Sequence, residues 1–477
     1  MIKQIFENRF HDLLVRRAFI FSIATLFNIN LVAYSQEKSP ADPSYHPSYH
    51  TKNWYNNWPE WRGPFMDGTV PDSGYPLSWS PQKNVLWKTA IPGYGHSSPI
   101  VWEDRIFLTS CPATPSQKPK SARPVSNEKL DRFLFCIDRQ SGKIIWKKLV
   151  VQAPLEPIHN LNSFASSTPA TNGKYVYVTF LDNPYVRIAC YDFSGKQIWL
   201  KTPGKFFSMH GFCSPPILYK DMVIVNADQD AKGTNRAYIV ALDQKTGEER
   251  YRIDRPNRIR SYTPPLIVRA ADKDQMVFTG AKSVASYDAN NGDPIWHIQG
   301  PTEQFVASMI FHKNLFFLTA GFPTYHVMAI KPGGKGDVTK THVIWHEVRG
   351  AGYVPSPVAC QGNIFLVHDN GLATCRDATT GKLIKDDRLG QHHTASPICA
   401  DQRIYYLDDK GMMWVVNASS KDGELLEVLS KNPLEEECYA SPAFCNHQIF
   451  IRSVSHLWCI QDKNPDKNPE KKTSIRR

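Results

Sequence analysis

The chain has 477 residues, 42% of them hydrophobic and 21% charged, enough apolar material to bury a large core and too little charge for a disordered polymer. Aromatics at 12% and 35 prolines favour many short strands over long helices. The two ends carry +5 of the formal net charge of +11, and the remaining +6 is spread over the body without a dense basic run, which excludes a nucleic-acid-binding surface of the usual kind.

Residues 1–35 read as a signal peptide. Arg16-Arg17 precede an apolar run interrupted by Ser22, Thr25, Asn28 and Asn30, and Ala33-Tyr34-Ser35 places small residues where a signal peptidase cuts. The run is short and polar for a stable membrane span, so the mature chain is expected to lack one. Residues 36–57 read as a linker, with a Tyr-His repeat at Tyr45-His46 and Tyr49-His50. At the other end, residues 462–477 alternate lysine, proline and acidic groups and read as a disordered basic tail.

Between these ends one phrase recurs eight times: a small hydroxyl residue, a proline or its substitute, then an apolar strand broken by a turn. Its copies begin at Ser98, Thr168, Ser214, Thr263, Ser308, Ser356, Ser396 and Ser441. They recur at roughly 45-residue intervals, the span of a four-stranded propeller blade. The first interval is enlarged by a polar insertion from Cys111 to Leu130, and a second polar loop runs from Gly333 to Lys340. Most copies continue into an Asp-containing turn with Gly and then a strand carrying Trp, as at Asp138 and Trp146, Asp192 and Trp199, and Asp288 and Trp296. Asp bonds its own backbone in such turns and Gly supplies positive φ, so Asp138, Asp192, Asp243, Asp288 and Asp377 read as turn-makers and not as a catalytic set. Trp87, Trp146, Trp199, Trp296 and Trp345 read as side chains that pack one blade on the next. The eighth copy stops before a Trp strand, while Trp87 precedes the first copy as an orphan. The expected fold is therefore an all-β, eight-bladed β-propeller of four-stranded antiparallel blades over residues 58–461, its ring closed by an N-terminal strand.

The phrases SSPIVWEDRIFLT and FCIDRQSGKIIW and their kin resemble the repeats of pyrroloquinoline-quinone (PQQ) quinoprotein propellers, a family that includes the propeller lipoprotein of outer-membrane protein assembly. Trp58-Pro-Glu-Trp61-Arg62-Gly63-Pro64 resembles the opening segment of a group of exported quinoprotein-like propellers of environmental bacteria. The resemblance implies a periplasmic or secreted protein and admits PQQ with Ca²⁺ as cofactor. In its redox members a pair of adjacent cysteines lies against the quinone. This chain has no Cys-Cys pair and no CxxCH haem motif.

The ten cysteines align as packing residues. Cys136, Cys190, Cys375 and Cys459 stand two residues before the turn, where other copies have Ala241, Ser286 and Ala329. Cys360, Cys399 and Cys445 likewise fall on first strands of successive copies, and equivalent sites on different blades are expected to stand too far apart for sulfur bonds. Cys438 with Cys445, or Cys111 with a loop partner, are the remaining possibilities for a bridge.

Residues just ahead of the eight phrases should gather at one mouth of the central channel. That rim is expected to hold His96, Asn162, Phe164, His210, Arg258, Arg260, Tyr262, Gln304, Tyr353, His392, His393, Glu437 and Tyr439. Imidazole and guanidinium groups there suit carboxylates, phosphates or proton transfer, and aromatic rings suit stacking on sugars. His392-His393 is weak as a metal motif, because adjacent residues on an extended chain point apart. No zinc-ligand spacing or recognisable nucleophile accompanies the rim. The leading reading is a monomeric, non-catalytic binding or scaffold protein for a protein or glycan at the cell envelope, with no nucleic-acid partner. Its rivals are a PQQ-dependent alcohol or sugar dehydrogenase and a polysaccharide hydrolase or lyase built on the rim.

Overall fold

Eight separate sheets, each with four antiparallel strands and one extended by a short fifth strand, follow one another along the chain, as the period of the phrase requires. The structure, a computed structural model, describes residues 52–117, 129–230, 236–255, 259–421 and 423–462, all within the unit that begins at Pro43. Blades 1 to 7 occupy residues 100–154, 170–205, 217–255, 266–299, 310–347, 358–388 and 398–433, and blade 8 combines residues 443–460 with the strand Val85–Ala90. In that last sheet Trp87 pairs with Cys459 and Ala90 with His456, so the orphan Trp strand does close the ring. Among the described residues no helix is long and apolar enough to cross a membrane. The signal-peptide and tail readings, and most of the linker, lie outside the described residues. The packed body starts slightly ahead of Trp58, since Lys52–Tyr55 form a short helix whose Trp54 is buried edge-on to Trp102.

The recurring hydroxyl has a specific task. The backbone N–H of Ser98 donates to Thr168 Oγ1, that of Ser308 to Ser356 Oγ, that of Ser356 to Ser396 Oγ and that of Ser396 to Ser441 Oγ, all at 2.8–3.0 Å. Each bond ties one first strand to the first strand of the next blade. A buried N–H left unpaired would cost about 1–3 kcal/mol, which is why a small hydroxyl recurs at this place.

The Trp and Gly of the second half are partners across the same junctions. Trp87, Trp146, Trp199 and Trp345 each donate an indole N–H to the carbonyl just after the turn Asp of the following blade, at Arg139, Phe193, Gln244 and Ala378. The ring then lies on the turn glycine: a Cβ at Gly142 would sit 2.6 Å from Trp87, and one at Gly381 2.5 Å from Trp345. Trp296 departs from this rule and donates to Gln275 of its own blade. The reason is local, because blade 5 replaces the Asp-Gly turn with the Gly333–Lys340 loop. Two residues of that loop, Gly336–Asp337, instead pair in parallel with Trp296 and His297 as a fifth strand on the edge of blade 4.

The turn aspartates behave as their spacing implies. Asp138 Oδ1 accepts from the N–H and hydroxyl of Ser141, and these bonds hold its carboxyl below the usual range. Asp377 accepts in the same way from Thr379 and Thr380.

Candidate functional site

The segment ahead of the first blade crosses the channel and seals one end of it. Trp58 forms an antiparallel bridge with Val101 of blade 1, the Pro59 carbonyl accepts the N–H of Thr171 in blade 2, and Glu60 Oε2 accepts that of Leu218 in blade 3. Trp61 Nε1 reaches Ser308 of blade 5, and Arg62 Nη2 donates to the carbonyls of Pro357 and Pro397 in blades 6 and 7. Gly68 and Val70 then bracket Cys399, and Tyr75 packs on Phe444 of blade 8 at 5.0 Å. Sequence reading missed this role, because the segment has no counterpart in the repeats.

Burial without a charged partner leaves Glu60 with a pKa raised from 4.5 to about 8. The unfolded chain gives up this proton near pH 4.5 and the folded one near 8. The stability contributed by the protonated carboxyl is therefore complete below pH 4.5 and is lost as pH rises through 8. Glu60→Gln keeps an acceptor for Leu218 and cannot ionise. The variant should melt above the parent at pH 8 and match it at pH 4, as read by thermal unfolding; parallel curves at both pH values would contradict a protonated Glu60.

Above the seal lies a cavity of 560 Å³ with Trp61 among its lining residues. Of the thirteen rim residues expected, nine line it: His96, Asn162, His210, Arg260, Tyr262, Gln304, Tyr353, His392 and Tyr439. Three do not. Phe164 is buried in the core under the Arg132 guanidinium, 5.4 Å from the ring. His393 is fully buried, with both ring nitrogens on backbone carbonyls of Leu389 and Leu407, because its neighbour His392 takes the opposite direction into the mouth. Glu437 sits outside the lining, paired with Lys410 and accepting the Tyr439 hydroxyl. Arg258 lies outside the described residues. The structure adds Cys213, in register just ahead of Ser214, and His159, Phe322 and Asp369, which arrive from loop positions off the repeat register.

The polar groups of the mouth are largely tied to one another. Asp230 accepts both bonds of Arg260 Nη1, at 2.8 and 2.9 Å, while Arg260 Nη2 stands 3.2 Å from His210 Nε2. A guanidinium only donates, so His210 Nε2 carries the lone pair and not the proton. Asn162 donates to the His210 carbonyl at 2.7 Å, and the His159 ring meets His210 edge-on. His96 lies between the tilted rings of Tyr94 and Tyr439, and its nitrogens engage the Leu161 carbonyl and the Tyr94 hydroxyl. Burial, with the nearby Arg452 charge, pushes its pKa down to about 3, so it is neutral. His392 Nδ1 is bound to Asp409 at 2.6 Å, and Asp369 accepts the N–H groups of Tyr353 and Val354. Burial pushes the Cys213 thiol up to about 12, which leaves no thiolate at neutral pH. A second, larger hollow of 920 Å³ runs along the flank of blade 4 with Lys282 and Glu303 on its rim. It draws on one blade and its neighbours, whereas the mouth collects equivalent positions from around the ring.

A sequence profile of the family described as outer membrane protein assembly factor BamB matches residues 131–316. Among solved structures, BamB from Moraxella catarrhalis superposes with a TM-score of 0.54 at 10% identity, covering 80% of this chain and 97% of that one. The chain is a PQQ-like repeat β-propeller. Two quinohemoprotein alcohol dehydrogenases share the propeller fold: ADHIIG from Pseudomonas putida HK5 has a TM-score of 0.56 at 11% identity, covering 86% of this chain and 80% of that one. The enzyme from Comamonas testosteroni has 0.55 at 12%, covering 85% and 80%. No curated protein matches the sequence. At such identities the likeness is one of fold alone.

The resemblance admits a Ca²⁺-bound quinone, and the propeller's donor set does not fit it. Among the described residues no three His, Cys, Asp or Glu side chains converge closely enough to hold a metal ion. The mouth's carboxylates are engaged by Arg260 at Asp230, by backbone N–H groups at Asp369 and by His392 at Asp409, and no two cysteines are adjacent in the chain.

Proposed function

We propose that this propeller is an exported, non-catalytic scaffold at the cell envelope that holds a protein or glycan in its sealed mouth. The observation that carries this reading is the one-ended cavity: an aromatic-lined cup of 560 Å³, closed below by the protein's own segment and rimmed by groups already fixed by mutual hydrogen bonds. Such a cup suits capture of a projecting side chain or sugar ring, since rigid aromatics give contact area at little entropic cost. The fold shared with BamB supports a protein partner, and the leader-like residues 1–35 support export.

Titration calorimetry against cell-wall oligosaccharides and outer-membrane polypeptides tests the proposal. The parent should bind one of them, and His210→Ala with Arg260→Ala should weaken that binding at least about tenfold, the loss expected when a buried polar contact is removed. Unchanged binding would take the mouth out of the reading. Addition of PQQ with Ca²⁺ should leave the melting temperature and dye reduction with alcohols unaltered. A raised melting temperature with dye reduction would replace the scaffold by a dehydrogenase.

A further inference from the structure

The junction between blades 6 and 7 brings together two cysteines that the repeat alignment separates. The first strand of blade 6, Val358–Cys360, and that of blade 7, Ile398–Ala400, lie side by side within 8 Å, Cα to Cα, and are tied by the Ser356 N–H bond to Ser396 Oγ. Side chains alternate along each strand. Val358 and Cys360 belong to the core shared by blades 6 and 7, while Ala359 turns to the core shared with blade 5. Blade 7 keeps the same sense: Ile398 and Ala400 turn to the next blade, blade 8, and Cys399 alone faces back to blade 6. Cys360 and Cys399 thus point at each other from opposite walls of one core, and the neighbouring Cys360 thiol, with burial, pushes the Cys399 thiol well up. The expectation that equivalent sites on different blades stand too far apart does not reach this pair, because these two occupy successive positions of the phrase and so face opposite ways.

We propose that Cys360 and Cys399 are a disulfide site, and that the bond staples blade 6 to blade 7 when the chain folds under oxidising conditions. The two thiols are buried in the finished fold, so oxidation precedes closure of this core. The oxidant is a small-molecule or protein disulfide. One thiolate attacks it to give a mixed disulfide, and the second thiolate displaces the leaving thiol. Two S–H bonds are broken and one S–S bond is made, while the two electrons and two protons convert one molecule of glutathione disulfide to two of glutathione. The bond would also brace the channel seal, because the Cys399 N–H and carbonyl are the groups that hold Gly68 and Val70.

The test is peptide mapping of the full chain refolded from denaturant in a glutathione and glutathione-disulfide buffer, with remaining thiols alkylated in denaturant. The expected result is one dominant linked pair, residues 360 and 399, and two fewer alkylated cysteines than in the reduced chain. Cys399→Ala should abolish the link and return Cys360 to the alkylated set. The same mapping on soluble chain secreted into a bacterial periplasm reads the pair without a refolding step. Alkylation of all ten cysteines in the folded protein, or a link from Cys360 to Cys375 of the same core, would overturn the proposal.

Discussion

Replacing Arg255 with Met is expected to lower folding stability by about 3–5 kcal/mol, the range for breaking a buried ion pair by removing one partner. Arg255 ends the outer strand of blade 3, and its Nε lies 3.1 Å from Asp228 Oδ1 with side-chain exposures of 1% and 0%. Its Nη1 donates to the Tyr287 hydroxyl and its Nη2 to the Gly280 carbonyl, both in blade 4. The substitution therefore strands a carboxylate in the core and unties two blades. Adding Asp228→Leu should recover most of the loss, since an apolar pair of similar volume replaces charges that were expensive to bury. Urea unfolding of the single and double variants decides it: a single variant within 1 kcal/mol of the parent would mean that the pair is solvated.

Trp58→Ala should cost a comparable ~3–5 kcal/mol, the usual loss for truncating a buried aromatic. Trp58 is 1% exposed, bridges to Val101 in both directions and packs near Phe444. Gly63, at φ +84°, folds the chain back on its ring, where a Cβ would come within 2.6 Å of the indole. The variant should also free the seal, so limited trypsin digestion should cut after Arg62 in the variant and spare it in the parent. Resistance at Arg62 in a destabilised variant would show that the seal is held by its other contacts.

The propeller was legible because each junction is made by a few side chains that recur. The Ser or Thr hydroxyl, the turn Asp and the Trp-on-Gly contact each leave a residue type at a set distance along the chain. The mouth was legible only where the rim follows that register, as at His96, His210 and Arg260. His159, Phe322 and Asp369 enter from loops whose lengths differ between blades, and nothing periodic announces them. Trp61 was visible as a residue and invisible as a lining residue, because its contacts run to Ser308 and to segments far along the chain. Phe164 and His393 failed for the opposite reason: both stand in register, yet each takes the core-facing side of its loop.

The pairing of Val85–Ala90 with His456–Ile460 sets the order in which the protein can be completed. The strand made first at the ribosome must wait for one of the last, so the ring cannot close while the chain is still emerging. Contacts of such long sequence separation fold slowly, and until then blade 8 presents an unpaired edge of the kind that recruits other chains. An incomplete chain ending before His456 should accumulate as aggregate even though seven of its blades are whole, and assembly of the finished molecule should depend on holding factors that keep the early strand unpaired until its distant partner arrives.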